Sequence, residues 1–131
     1  MKSLLRLLAV LIFLPPSASL AIDYAGGAIK SIVVHDPNIL TDAEGMTLYI
    51  WDGDVPGVSK CRNQCAIPWP PLVAAPSAVA EGDFTLVKGT GSALIWAYKG
   101  RPLYHWARDL KPGDTTGDGI AYAWHTVAVD N

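Results

Sequence analysis

The residues best suited to chemistry recur in this sequence as a short pattern, Tyr-x-Trp-x-x-Asp. It occurs in "TLYIWDGD" (47–54) and again in "PLYHWARD" (102–109). A repeated carboxylate, here Asp54 and Asp109, is the group that a general acid and base pair needs, as in glycoside hydrolysis. The sequence does not indicate that the two face each other, and it contains none of the common hydrolase, phosphate-binding-loop or zinc-protease motifs. We therefore predict that the protein is not an enzyme and needs no cofactor.

The aromatic residues of the pattern have two interpretations. Side chains alternate along a strand, so Tyr49 and Trp51 share one face, as do Tyr104 and Trp106. The favoured interpretation is that these rings fill a core while the Asp ties down the turn that follows, by accepting hydrogen bonds from backbone amides. The alternative is an exposed aromatic platform that stacks on a small ligand.

Cysteine and histidine provide the remaining candidate chemistry. Cys61 and Cys65 are the only two cysteines, and in an oxidising compartment we expect them to form a disulfide. Closing so short a loop would contribute about 2 kcal/mol to stability. Alternatively, the two thiolates could bind a metal together with histidine. His105 and His125 are a further candidate pair for copper or zinc, if their strands are neighbours.

The first 21 residues have the layout of a cleavable secretory signal. Two basic residues precede an apolar run from Leu7 to Leu14, and small residues lead to the expected cleavage site after Ala21. The run is shorter than the roughly 20 residues needed to span a bilayer, and no cysteine follows the site for lipid attachment. We therefore expect a mature chain, residues 22–131, that is periplasmic or secreted without a stable membrane anchor.

Charge and length narrow the range of partners. The full sequence has a net charge of −2, and removing the signal also removes two basic residues. No run of basic residues remains, which argues against nucleic acid as a partner. The mature length suits a single small domain. The expected partner is an unidentified envelope protein or a small ligand.

The elements that would position these residues are mainly β. Short β-branched and aromatic runs, separated by Gly, Pro, Asp and Asn, predict strands. These runs are 28–35, 46–51, 84–88, 93–98, 102–106 and 120–129. A short helical turn is predicted near 59–66. The prolines of "IPWPPL" (67–72) cannot continue it, so that segment should be extended and lie beside a sheet edge.

A shift of the chain by 55 residues aligns one half with the other. It aligns both copies of the Tyr-x-Trp-x-x-Asp pattern and also aligns Trp69 with Trp124. We interpret the mature chain as two repeats, about 28–75 and 83–129, each built around a β-hairpin. Two such units can bury each other's apolar faces, which predicts a small sandwich or a partly open barrel.

The combination of motifs resembles a known family. Both pattern copies, the segment "CRNQCAIPWPPL" (61–72) and the run "KGRPLYHWARDLKPGDTTGDG" (99–119) are similar to a secreted repeat family of lipoproteins with a Tyr-x-(Phe/Trp/Tyr)-x-x-Asp motif. The resemblance covers nearly all of the mature chain. It implies an extracytoplasmic bacterial protein built of tandem repeats, with no established biochemical activity. The missing lipidation cysteine distinguishes this chain from the lipoprotein members.

The expected function is therefore a non-catalytic, extracytoplasmic repeat module that binds a partner or is associated with the envelope. The candidate binding residues are those of the repeated pattern and the two aligned tryptophans: Tyr49, Trp51, Asp54, Tyr104, Trp106, Asp109, Trp69 and Trp124. Metal binding through His105, His125 or the cysteines, and small-ligand binding on the aromatic platform, are the alternatives.

Overall fold

The computed structural model describes residues 9–14, 21–33 and 37–129. Most of the predicted signal segment lies outside these ranges. Within the described ranges, no helix has the length and apolarity to cross a membrane. The strands are β1 (Ile22–Tyr24), β2 (Ile29–Ile32), β3 (Asn38–Asp42), β4 (Tyr49–Trp51), β5 (Phe84–Lys88), β6 (Leu94–Tyr98), β7 (Arg101–Pro102), β8 (Trp124–Thr126) and β9 (Ala128–Val129).

The strands form antiparallel ladders in a curled, partly open arrangement. Their orders are β1-β2-β3-β9, β4-β8 and β5-β6-β7, and every pairing is antiparallel. The hairpin β2-β3 in the first repeat corresponds to the hairpin β5-β6 in the second. The prediction of a mainly β fold with two repeated hairpin units is confirmed.

Each repeat completes its sheet with the last segment of the other repeat. In the first repeat, β3 pairs with β9 and β4 pairs with β8, both from the end of the second repeat. In the second repeat, bridges join Ile95 to Val73 and Tyr104 to Pro71, both from the end of the first. These bridges are the equivalents, in the second repeat, of the β9 and β8 pairings. The segment with the three prolines is thus paired from Pro70 onward, whereas residues 67–69 lie in turns and a bend, so the prediction that all of 67–72 is extended is only partly right. The two halves are interlocked.

The two motif strands are related by a local twofold axis that lies between Tyr49 and Tyr104. The amide of Tyr49 donates to the carbonyl of Tyr104 at 2.8 Å, and the amide of Tyr104 donates to the carbonyl of Tyr49 at 2.9 Å. Two reciprocal bonds of this kind define a hydrogen-bonded antiparallel pair, in which the two residues lie directly opposite each other. The two motif strands therefore meet at the centre of the molecule.

The alignment of the halves shifts by one residue before the pattern. The Leu48 amide donates to the Leu40 carbonyl, whereas the Leu103 amide donates to the Trp96 carbonyl. Leu40 therefore corresponds to Trp96, and the match of Leu40 with Ile95 that an ungapped 55-residue shift predicts is wrong. The first turn is one residue longer because Asp42 organises it, accepting from the amides of Glu44 and Met46, each at 2.9 Å.

The structure differs from the predicted elements in several places. Strand β1 was not predicted, and the run 102–106 contains only the end of the short strand β7. Residues 120–129 contain a 3-10 turn (Ile120–Tyr122) and two short strands instead of one long strand, because Ala121 and Tyr122 have φ of 53°. The strand Asn38–Asp42 was not among the predicted runs. Residues 62–67 form successive hydrogen-bonded turns in place of the helical turn predicted near 59–66, since Asn63 has φ of 56° and interrupts a right-handed helix.

Two core clusters lie on opposite sides of the motif strands: a mainly aliphatic one, which also contains Phe84 and Trp96, and an aromatic one. Leu48 and Leu103, each with 0% exposure, belong to the aliphatic cluster. Tyr49 and Tyr104 point the other way and join the aromatic cluster. This is the alternation expected of residues i and i+1 in a strand, and the sheet is therefore covered on both faces at its centre.

The interlocked halves should stay together when the connection between them is cut. A specific protease site inserted at the exposed Ser77, in the segment that joins the repeats, would separate two fragments that share strands. We expect the cleaved protein to elute as one species at the position of the uncleaved insertion variant, and to separate only in denaturant. Fragments that elute apart in native buffer would contradict strand exchange between the repeats.

Candidate functional site

The repeated Tyr and Asp form crossed hydrogen bonds between the two repeats. Tyr49 Oη donates to Asp109 Oδ2 at 2.6 Å, and Tyr104 Oη donates to Asp54 Oδ2 at 2.8 Å. Both tyrosines have 0% exposure. Each tyrosine therefore pairs with the aspartate of the other motif copy. The strand pairing brings this about, because it places Tyr49 directly opposite Tyr104.

The second oxygen of each aspartate holds its own loop. Asp109 Oδ1 accepts from the Thr116 amide at 2.9 Å and from Thr116 Oγ1 at 2.6 Å. Asp54 Oδ1 accepts from the Lys60 amide at 2.7 Å. The aspartates thus fix the loops that follow each motif, as the favoured interpretation requires, and they also join these loops to the opposite repeat.

The tyrosine hydroxyls have second partners that the sequence did not reveal. Tyr49 Oη accepts from the amide of Gly117 at 3.2 Å, and Tyr104 Oη lies 2.8 Å from Ser59 Oγ. A Cβ at Gly117 would lie 2.9 Å from atoms of Trp106, Trp69 and Tyr49. Only glycine fits there, so the loop that follows the second motif is packed against the core at Gly117.

Four tryptophans form a continuous row through the middle of the molecule. Trp69 and Trp124 stack with ring centroids 3.7 Å apart. Trp51 stacks on Trp124 at 5.5 Å, and Trp106 packs on Trp69 at 4.2 Å. The rings in the row come alternately from the first and second repeat. Since the two central rings are each 5% exposed, the row is mainly an internal contact between the halves.

The electrostatics of the crossed pairs keep both phenols protonated. Burial raises the pKa of Tyr49, and the hydrogen bond to Asp109 raises it further. Burial also raises the pKa of Tyr104; Ser59 opposes this and Asp54 reinforces it. Burial raises the pKa of Asp54, against the Lys60 amide and Tyr104. A phenol held in this state donates a hydrogen bond but does not act as a base near neutral pH.

The raised phenol pKa values predict a loss of stability in alkaline solution. Unfolded tyrosine releases its proton near pH 10, whereas the two buried phenols retain theirs, so their contribution is complete below that pH and is lost above it. With both groups, the free energy of unfolding should fall by up to about 2.7 kcal/mol per pH unit. Urea unfolding followed by Trp fluorescence from about pH 9 to 11.5 measures this slope. Tyr49→Phe should reduce it, and an unchanged slope would contradict the assignment.

The two histidines bond to different carboxylates. His105 Nε2 lies 2.8 Å from Asp42 Oδ2, and His125 Nε2 lies 2.9 Å from Asp52 Oδ2. Burial raises the pKa of Asp42, but the bond to His105 and the turn amides outweigh it and lower the pKa overall. Among the residues that the structure describes, no three His, Cys, Asp or Glu side chains form a group suited to a metal.

Cys61 and Cys65 form a disulfide with Sγ atoms 1.98 Å apart, which confirms the expected bridge. Cys61 is 2% exposed and belongs to the aromatic cluster. The aligned residue in the second repeat, Thr116, holds its loop by bonding to Asp109. The two loops therefore occupy equivalent positions but are stabilised differently: the first by a disulfide, and the second by hydrogen bonds to Asp109.

The structure brings the six residues of the two pattern copies and the two aligned tryptophans, Trp69 and Trp124, together between the repeats. It does not bring the histidines to the same carboxylate. Sequence reasoning missed Ser59, Thr116 and Gly117. The 55-residue shift contained one usable signal, because Thr116 aligns with Cys61 and so marks the same loop position.

Comparison with protein families supports the assignment of repeats. A family model described as a secreted repeat of unknown function matches residues 30–73 and 85–128, more than half of the chain. The protein belongs to this secreted repeat family. Comparison with curated proteins and with solved structures found no match.

The two matches to the secreted repeat family agree closely with the predicted repeats at 28–75 and 83–129. Each match contains one copy of the Tyr-x-Trp-x-x-Asp pattern and one of the two central tryptophans of the row, Trp69 or Trp124. The crossed pairs are therefore formed between two copies of one family unit. Residues 22–29 and 74–84 lie outside both matches.

Proposed function

We propose that this member of the secreted repeat family is a non-catalytic, extracytoplasmic module that binds a protein of the bacterial envelope. The observation that carries the proposal is the use of the pattern's polar groups inside the fold. The two tyrosine hydroxyls and the two aspartates bond to each other and to their own loops. Because these polar groups already bond to one another, they stabilise the fold and are not free to bind a partner. Binding therefore has to use residues on the outer surface.

The loops after each motif provide that surface. Two pairs of apolar residues are exposed at positions related by the 55-residue shift: Val55 with Leu110, and Ile67 with Tyr122. Their exposures are 41% and 87% for the first pair, and 68% and 95% for the second. Single exposed apolar residues are common on protein surfaces. Their recurrence at the same loop positions in both repeats favours a shared role in contact with another protein.

The compartment is supported by three features. The family is described as secreted, the first 21 residues have the layout of a signal peptide, and a disulfide is characteristic of oxidising compartments. The acidic mature chain has no basic run that would suit nucleic acid or an anionic membrane surface. A protein of the periplasm or outer envelope is the partner class that agrees with these features.

The alternatives have less support. The aromatic platform would need its rings around an open cleft, but Tyr49 and Tyr104 have 0% exposure, and Trp69 and Trp124 are each 5% exposed. A metal site using the cysteines would need free thiolates, whereas the two sulfur atoms are bonded to each other.

The proposal can be tested with a surface variant in which Val55, Leu110, Ile67 and Tyr122 are changed to serine. We expect its thermal midpoint and Trp fluorescence to match the wild type, while its chemical crosslinking to envelope protein in intact cells is lost. Gln64→Ser with Arg108→Ser, two exposed polar positions, is the matched control and should crosslink as the wild type does. Full crosslinking by the four-serine variant would refute the proposed contact surface.

A further inference from the structure

A concave site lies away from the motif, where the connection between the repeats meets the N-terminal hairpin of β1 and β2. It has a volume of about 260 Å³, and its lining includes Tyr24, Phe84, Tyr98, Glu81 and Asp83. The three rings pack in a row, which we call the aromatic wall; Phe84 is 5% exposed, so the partly exposed Tyr24 and Tyr98 present most of its open surface. Phe84 lies between the tyrosines, with its ring centroid 4.9 Å from that of Tyr24 and 5.1 Å from that of Tyr98.

Backbone hydrogen bonds hold the chain that bears the two carboxylates of this site. Phe84 and Tyr98 are paired residues at the ends of β5 and β6. A tight turn precedes β5, in which the amide of Glu81 donates to Phe84 at 2.8 Å and the amide of Phe84 donates to Glu81 at 2.9 Å. Asp83 accepts the Lys99 amide at 2.8 Å through its backbone carbonyl. Both acidic side chains therefore project from a fixed turn beside the aromatic wall.

The site is not duplicated, although the fold is. The residue equivalent to Phe84 in the first repeat is Ile29, and the residue paired with Ile29 is Asp42. An aromatic wall is thus missing at the related position. Tyr24, Glu81, Asp83 and Phe84 lie outside both matches to the family unit, so most of this site is formed by segments that the two repeats do not share.

Rings and carboxylates together favour a cation. Aromatic faces attract cations, most strongly those that are weakly hydrated, such as quaternary ammonium. The Tyr98 ring already has the Lys99 ammonium 5.3 Å from its centroid. The ion pairs among the described residues do not include Glu81 or Asp83, so both charges are available to a ligand.

Size sets a limit on the ligand. The volume is just below the range of about 300–1,000 Å³ that is usual for drug-sized molecules, which suits a small head group. Glu81 also lines a neighbouring concavity of about 530 Å³, together with Ala25, Ala28 and Ala78. Glu81 therefore borders both concavities.

We propose that this site binds an alkylated ammonium group, with the rings of Tyr24 and Tyr98 against its methyl groups and the carboxylates of Glu81 and Asp83 balancing its charge. The inference goes beyond the proposed envelope contact, because it concerns different residues. It predicts one ligand per chain.

The test compares choline with 3,3-dimethyl-1-butanol, which has the same shape without the charge. Titration of the ¹⁵N-labelled mature chain should show saturable choline shifts at the amides of Gly82, Asp83 and Tyr98, with one ligand bound. The neutral analogue should bind at least roughly tenfold more weakly. Equal binding of the two compounds, or shifts that occur elsewhere in the chain, would overturn the proposal.

Two substitutions locate the charge and ring contributions. Glu81→Gln should weaken choline binding about three- to fivefold, while Glu44→Gln, an exposed glutamate in the first-repeat turn, should leave it unchanged. Tyr98→Leu should weaken binding about five- to tenfold at an unchanged stoichiometry, provided its thermal midpoint shows that it is folded. Equal effects of Glu81→Gln and Glu44→Gln would refute a direct role for Glu81 and with it the proposed site.

A binding experiment with lipid vesicles distinguishes a soluble ammonium ligand from a lipid head group. Binding to free choline with no preference for phosphatidylcholine vesicles would assign a soluble ligand. Selective binding to phosphatidylcholine over phosphatidylglycerol vesicles would assign a lipid head group. Absence of binding to both choline and phosphatidylcholine would overturn the inference. The serine variant of the four loop residues should bind choline normally, which separates this site from the envelope contact.

Discussion

Replacing Trp124 with alanine should lower the free energy of unfolding by about 3–5 kcal/mol, the usual cost of removing a large buried aromatic side chain. Trp124 is 5% exposed and contacts Trp51, Trp69 and Tyr104. Its loss opens a cavity in the middle of the row that joins the repeats. A small domain has a total stability of about 5–15 kcal/mol, so the variant should be close to unfolding at room temperature.

The matched comparison uses the other tryptophans of the row. Trp69→Ala should cost nearly as much, because Trp69 is also 5% exposed and occupies the equivalent position. Trp51→Ala should cost less, since Trp51 lies at the end of the row and is only partly buried. Denaturant unfolding followed by circular dichroism gives the three values. Equal costs for Trp124 and Trp51 would contradict the central position assigned to Trp124.

The second large effect is expected at Asp109. Its carboxylate accepts hydrogen bonds from Tyr49 Oη, the Thr116 amide and Thr116 Oγ1, and the residue is 8% exposed. Asp109→Asn replaces one accepting oxygen with a donor that faces other donors. Because hydrogen bonds to charged groups contribute about 1.5–3 kcal/mol each, we expect a loss of about 3 kcal/mol in the free energy of unfolding.

Asp54→Asn is the matched control for this substitution. Asp54 has the equivalent position, but it is only half-buried, so water can replace part of what its carboxylate provides. Its substitution should cost about 1 kcal/mol, measured in the same urea titrations. A larger loss at Asp54 than at Asp109 would show that burial does not set the strength of the two pairs.

Much of the fold could be predicted from the sequence because its signals are local. The 55-residue shift and the β-branched runs established the repeats and the strand class. Alternation of side chains along the predicted run 46–51 places Leu48 and Tyr49 on opposite faces, as the structure does. The strand Asn38–Asp42 was harder, since its polar ends resemble a turn and its pairing with β2 and β9 is decided by tertiary contacts.

The crossed pairs could not be derived in the same way. Periodicity gives the face on which Tyr49 lies, but not the chain segment that lies opposite. An aspartate five residues after a tyrosine suggests a local turn, and each aspartate does hold its own loop. That each one also reaches the other repeat follows from the antiparallel pairing of Tyr49 with Tyr104, which no spacing in the sequence encodes.

A double-mutant cycle tests the interlocking of the repeats most directly. The unfolding free energies of Tyr49→Phe, Asp109→Asn and the double variant give the coupling between residues of different motif copies. We predict a coupling of about 1–3 kcal/mol for this pair. For Tyr49→Phe with Asp54→Asn, which belong to the same copy, we predict a value close to zero. Strong coupling within one copy, and none between copies, would contradict the crossed arrangement.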